Sequence, residues 1–417
     1  MIEAIRNSLK IPDLRKKIFF TLAVITVYRF GANLPVPGVD IEAVKNLFSQ
    51  QKGGLLGLLD VFAGGALSQF AVFSLGIMPY ITAAIIMELL TVVVPQVERW
   101  AKEGEVGRKR ITLWTRYLAL VLYIVESIGL TFYFQSQLKT AFSPLTKVLI
   151  IASLAAGGIL IMWLGELITQ KGIGNGMSLL IFANIISRFP SAFLQTIQVL
   201  NPAFVVLVLL ILLAVIVGII YMEGGQRRIP VQYAKRIVGR KVYQGQATYI
   251  PLKLNPSGVI PIIFASSVLL FPAMITRFIP NKTIQSISDY ISPGSAVYLT
   301  IFGLLIVFFT YFYTAIVFNP IEVADNMKKY GGFIPGVRPG RPTAAYVDHI
   351  LSRIVLPGSL FLAFIAILPT IIMVQLNVPF FQHFGGIALL IMVGVALDTV
   401  RQIEAQLLMR HYEGFLK

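Results

Sequence analysis

The stretch GGLLGLLDVFAGGALSQF, Gly53–Phe70, is apolar for only about ten residues before Gly64 and Gly65 interrupt it. A bilayer core about 30 Å thick needs about 20 helical residues to cross, so this segment cannot span a membrane. Two readings remain for the region Asn46–Gln69. It is either a helix lying on the outer surface or a half-helix folded back to membrane depth. Irregular backbone is tolerated at that depth only when it is buried in protein or lines a cavity. The second reading, beside a long apolar run, points to a channel.

Everything around this segment is membrane sequence. The 417 residues are 56% hydrophobic and 13% charged, with a net charge of +16. A soluble chain of that length needs far more charged surface. Apolar runs of spanning length recur near 18–35, 70–94, 113–134, 146–166, 173–189, 203–222, 258–278, 297–318, 350–374 and 384–408, and predict ten helices. There is no cysteine, so disulfides, thiolate metal sites and thiol nucleophiles are excluded, and the three histidines (His349, His383, His411) are too scattered to suggest a metal. The basic segment before the first span lacks a small-residue cleavage site and reads as a retained cytoplasmic terminus. With charges at span ends counted with the nearest loop, 27 of the 35 lysines and arginines fall on the N-terminus, the even-numbered loops and the C-terminal tail, against seven on the odd-numbered loops. Positive charge stays inside, so both termini are expected in the cytoplasm. The same side carries two unusually basic loops, QRRIPVQYAKRIVGRKV (Gln226–Val242) and GGFIPGVRPGRPT (Gly331–Thr343). Such loops suit a large acidic partner.

Several stretches carry a resemblance. YRFGANLPVPGVD (Tyr28–Asp40), GGALSQFAVFSLGIMPYITAAII (Gly64–Ile86), KEGEVGRKRIT (Lys102–Thr112) and WLGELITQKGIGNGMSLLIF (Trp163–Phe182) occur in order. They are followed by QRRIPVQYAKR, PLKLNPSGVIPIIFASS (Pro251–Ser267), VFNPIEVADNMKKYGGFIPGVRPG (Val317–Gly340) and GGIALLIMVGVALDT. Together they resemble the bacterial SecY family of protein-conducting channels along essentially the whole chain. The resemblance implies an all-α fold of ten transmembrane helices in two inverted five-helix halves, Met1–Gln195 and Thr196–Lys417, around an hourglass pore. The second half would carry the long basic loops at about 223–257 and 319–349. An odd number of spans per half makes the repeats inverted, in agreement with the charge count.

By resemblance a pore ring falls on Ile77, Ile81, Met177, Ile181, Ile263 and Ile391. Bulky, stiff, apolar side chains seal around a passing chain without hydrogen-bonding it. Ile77/Ile81 and Met177/Ile181 are i,i+4 pairs, each sharing one helical face. Met177 departs from the expected isoleucine, and its softer side chain is compatible with a seal. The short segment, about 55–66, becomes a plug with Leu55, Leu58, Leu59, Val61, Phe62, Gly64 and Gly65, the glycines allowing it to hinge away. A lateral gate between spans 2/3 and 7/8 takes Thr82, Asn175, Ser267 and Phe271, whose polar groups would close it through modest interhelical bonds. Glu88 and Glu126 stand in spans 2 and 3 where the family pattern leads one to expect uncharged amides. A carboxylate at that depth is costly, and the pair is expected to favour a tightly closed gate.

Arg228, Lys235, Arg240, Lys241 and Arg338 are the expected docking residues for a motor or ribosome, since guanidinium groups grip carboxylates and RNA phosphates bidentately. In VRPGRP, proline and glycine stiffen the presentation of Arg338. The partners implied are SecE, SecG, the SecA motor ATPase, the ribosome, signal-bearing preproteins and lipid. No cofactor is implied. No GxxxxGK[ST] phosphate loop is present, so ATP hydrolysis is expected in the partner and the chain is expected not to be an enzyme. The implied location is the bacterial cytoplasmic membrane.

Overall fold

The structure is a computed structural model that describes residues 11–50, 55–138, 143–233, 236–238, 241–243, 248–278, 295–376, 378, 380–381 and 384–415. Ten long helices form its body: α1 (Pro12–Gly31), α4 (Met78–Val93), α6 (Glu105–Leu138), α7 (Pro144–Lys171), α8 (Gly176–Val199), α9 (Pro202–Gly224), α10 (Ile260–Phe278), α11 (Ala296–Val317), α13 (Arg341–Leu376) and α14 (Gly386–Phe415). Four short helices lie between them: α2 (Ile41–Gln50), α3 (Leu55–Phe62), α5 (Pro95–Lys102) and α12 (Pro320–Lys329).

Local chemistry sets the helix starts. Ser143, Asn175, Ser295 and Asn319 each accept a hydrogen bond from a first-turn backbone N–H, supplying donors that would otherwise be orphaned. Proline at the first positions of α1, α4, α5, α7, α9 and α12 costs no hydrogen bond there and presets the backbone. Pro95 ends α4 and turns the chain by 99° into α5.

The apolar side chains are not all turned inward. On α9, Leu207, Leu209, Leu210 and Leu213 are exposed, as a lipid-facing helix requires. Among the described residues, seven helices are each long and apolar enough to cross a membrane, and α4 with α5 makes an eighth if the bent pair is one span. The two remaining long helices, α1 and α10, complete the ten.

The packing order repeats. In the first five helices α4 packs on α6, α6 on α7, α7 on α8, and α1 on both α7 and α8. In the second five α10 packs on α11, α11 on α13, α13 on α14, and α9 on both α13 and α14. Every neighbour relation in one half has its counterpart in the other. The halves meet where α8 packs on α14 and where α10 rests on α4 and α6. α8 continues to Val199 and α9 begins at Pro202.

The expected second span, 70–94, is shorter as a helix. Residues 63–77 form successive turns, with positive φ at Phe70 (46°) and Gly76 (57°). An apolar run does not disclose this, because hydropathy is blind to backbone conformation.

On the basic face, β1 (Gln226–Tyr233) pairs antiparallel with β4 (Thr248–Lys253), and β2 (Arg236–Val238) with β3 (Lys241–Tyr243). β5 (Gly332–Phe333) joins the other edge of β1 through Gln232↔Phe333 and Tyr233↔Gly332. Beneath the sheet, Ile229, Val231, Leu252, Met327, Ile334, Val347, Leu351 and Val355 form a separate small core.

Candidate functional site

The C-terminal end of the short helix α3 and the turns that follow it are buried inside the molecule. Val61, Phe62, Ala63, Ala66 and Leu67 are all buried, and Phe62, Ala63, Ala66 and Leu67 share one apolar cluster with Ile77, Ile181 and Ile391. Among the segment's expected residues, Leu59 is partly buried against that cluster, while Leu55 and Leu58 lie outside the described side chains. A surface-lying helix is therefore excluded. The segment is re-entrant, folded back into the protein interior.

Gly64 and Gly65 earn their place by geometry. Both hold positive φ, 66° and 93°, a region open to glycine without strain. A Cβ on Gly64 would collide with Asn184 Oδ1, and one on Gly65 would lie 2.8 Å from Arg188 Nη2. Polar side chains of the wall approach here. Asn184 donates to Tyr28 Oη at 2.6 Å and to Phe62 O at 2.7 Å. Arg29 donates to Gly64 O at 3.1 Å. Arg188 pairs with Asp60, whose other carboxylate oxygen accepts from Ser68 N at 2.8 Å. None of these residues was singled out from sequence for this role.

A cavity of about 420 Å³ opens on the side of the basic loops. Ile181 from α8, Ile263 from α10 and Ile391 from α14 line it together, with Asn175, Ser178, Ile260 and Val395. Three helices from both halves thus present isoleucine to one space. Ile77 is fully buried at the start of α4 and Ile81 partly buried one turn on, both within the main apolar cluster. Met177 is placed differently: its sulfur packs on Gly165 of α7, and it is absent from the cavity lining. Ser178, Ile260 and Val395 are lining residues that sequence reading missed. Val395 follows Ile391 by one turn, which was the available signal.

At the seam between α4/α6 and α10/α11, Thr82 Oγ1 bonds its own helix at Met78 O, 3.1 Å. Asn175 caps α8, its Oδ1 accepting from Met177 N at 3.1 Å and Ser178 N at 3.3 Å. Among the described residues, neither side chain bonds to a neighbouring helix. Ser267 is 7% exposed and its hydroxyl has no partner among the described residues. The Phe271 side chain lies outside the described residues. Glu88 on α4 and Glu126 on α6 are both partly buried.

Glu166, a helix-end charge in the sequence, accepts from Arg116 Nε at 2.7 Å and ties α7 to α6. On the basic face Arg228 and Arg338 are exposed. Arg228 sits 4.8 Å over the ring of Tyr249, and the carbonyl of Arg338 accepts from Thr343 Oγ1 at 2.8 Å. Lys235 and Arg240 lie outside the described residues, and so does the side chain of Lys241.

A buried re-entrant segment and an isoleucine-lined cavity in one helical bundle invite comparison with known channels. The family model described as SecY matches residues 71–400. The chain belongs to the SecY family. Protein translocase subunit SecY of Streptomyces scabiei is 47% identical over the full length of both chains. The subunit SecY of Mycobacterium bovis is likewise 47% identical over both full lengths. A solved protein-conducting channel shares the fold at TM-score 0.66, with 18% identity over 96% of each chain. So does a SecY whose plug domain stabilises the closed state of its translocation channel, at TM-score 0.67 and 19% identity over 96% of each chain. Sec61 in the canine ribosome–channel complex matches at TM-score 0.62 and 18% identity over 96% of each chain. This SecY-family chain is a multi-pass membrane protein and a subunit of a protein-conducting translocase.

Proposed function

We propose that this chain is the central pore subunit of a translocase in a bacterial cytoplasmic membrane, with both termini in the cytoplasm. It passes unfolded secretory polypeptides across the bilayer and releases apolar segments sideways between α4/α6 and α10/α11. The convergence of Ile181, Ile263 and Ile391 on one cavity, with α3 packed on α8 nearby, carries the reading. Ile77 and Ile81 complete the constriction from α4, and Met177 supports it from behind through α7. Two pseudosymmetric halves, joined at Leu200–Asn201, open about this cavity like a hinge. The repeated packing order supports that division.

The chain supplies a conduit, and energy enters from outside. The sheet of β1, β4 and β5 gathers Arg228 and the loop bearing Arg338 into one basic surface, suited to the SecA motor, where ATP is hydrolysed, and to a ribosome. Lys235, Arg240 and Lys241 are assigned the same docking role from the sequence. The exposed leucines of α9 and its neighbours leave apolar area for lipid and for the helices of SecE and SecG.

A cysteine crosslink tests the path. The chain has no cysteine of its own, so Ile263→Cys or Ile181→Cys in the assembled complex can be challenged with a cysteine-bearing preprotein stalled midway. Disulfides are expected at both positions and not at Leu209→Cys on the lipid face. Crosslinking at Leu209 alone, with the substrate engaged, would overturn the assignment.

A further inference from the structure

A helix leaves its last four carbonyls without internal partners, and α3 is too short to bury that end by itself. Its terminal carbonyl Phe62 O is taken by Asn184 of α8 at 2.7 Å, and Gly64 O, just beyond, by Arg29 of α1 at 3.1 Å. Asn184 is fully buried and is itself fixed, donating to Tyr28 Oη at 2.6 Å while its Oδ1 faces Arg29 Nη1 at 3.5 Å. One helical turn along α8, Arg188 binds Asp60 and reaches Ser68 Oγ at 3.5 Å. The Asp60 side chain is only 5% exposed. Two cations therefore stand at the C-terminal end of α3, where the helix dipole favours them.

We infer that the stopper is capped in trans: its C-terminal end is completed by Arg29, Asn184 and Arg188 of the pore wall, and this polar latch sets how readily the channel opens. The inference rests on the channel reading above. Leaving the pore uncaps Phe62 O and Gly64 O and separates a buried ion pair. Those groups are satisfied afterwards only if water or the passing chain replaces the wall. Apolar packing alone would let the stopper slide out of register; these directional bonds define one seated position. The glycine pair is then a docking surface for wall side chains, since any Cβ at Gly64 or Gly65 would intrude on them.

Ionic conductance of the assembled complex in planar bilayers, without substrate, tests this. Arg188→Gln is expected to raise resting conductance at least tenfold. Gly64→Ala, which keeps every charge and drives a methyl into Asn184, is expected to do the same. Gly57→Ala, whose added methyl meets nothing within 4 Å, is expected to stay sealed. Each variant is first shown to assemble at the wild-type yield, and Gly64→Ala decides alone if Arg188→Gln does not. Sealed Arg188→Gln and Gly64→Ala channels would overturn the latch, as would equal leakage from Gly57→Ala. Passage of a signal-bearing preprotein by the wild-type complex separates these results from failure of the channel reading itself.

Discussion

Arg228 lies over the ring of Tyr249, its guanidinium carbon 4.8 Å from the ring centre, across the β1–β4 pair. Tyr249 pairs in register with Pro230, so the contact is diagonal, from one strand to the next. An exposed cation–π contact contributes about 0.5–1 kcal/mol. Here it acts on presentation, holding a long, flexible side chain upright. Tyr249→Ala should weaken binding of the motor or ribosome by about two- to fivefold, the same energy read as an equilibrium constant. Equilibrium binding to the reconstituted complex checks it, and an unchanged affinity would show that Arg228 needs no such support.

Arg338 sits just ahead of α13, on a loop tied down by the Thr343 hydroxyl. Its guanidinium is exposed, so reversing its charge leaves the small core beneath untouched. Arg338→Glu should assemble at normal levels and stall motor-driven transport by tenfold or more. Transport at the wild-type rate would remove Arg338 from the docking surface.

Gly176 and Gly165 bring α8 and α7 into backbone contact, and a Cβ on Gly176 would strike the carbonyl oxygen of Gly165. Small residues permit such approach between membrane helices, and overpacking typically costs about 1–3 kcal/mol. Gly176→Ala should lower the thermal stability of the purified complex and reduce its amount in membranes. An unaltered melting temperature would mean that α8 can shift without loss.

Glu88 and Glu126 carry carboxylates within spans, each costing about 2.5–3.5 kcal/mol at membrane depth on insertion scales. Removing the charge with Glu88→Gln and Glu126→Gln should loosen the closed gate and change the export of preproteins with weakened signals by severalfold. Equal selectivity for wild type and both variants would leave these residues without a gating role.

The bundle was legible because length and hydropathy are one-dimensional properties. An apolar run of spanning length implies a helix wherever it folds, and charge bias orients it. Helix ends were less legible. α13 runs through polar residues from Arg341, and α8 continues past Arg188, since a helix does not stop where it leaves lipid. The cavity's isoleucines followed from resemblance, whereas Met177 turned toward α7 because Gly165 leaves space there. The latch was invisible. Arg188 and Asp60 stand 128 residues apart, and in a linear reading each is a lone charge near a span end. Nothing local says that a carboxylate on a short glycine-flanked helix will meet an arginine four spans later.

The pairing of β5 with β1 also bears on synthesis. Gln232 meets Phe333, and the small core beneath requires Val347, Leu351 and Val355. Chain elongation must pass residue 355 before that surface is whole. A nascent copy therefore has no finished landing site until its ninth long helix is emerging, so a half-made pore offers a motor nothing firm to grip.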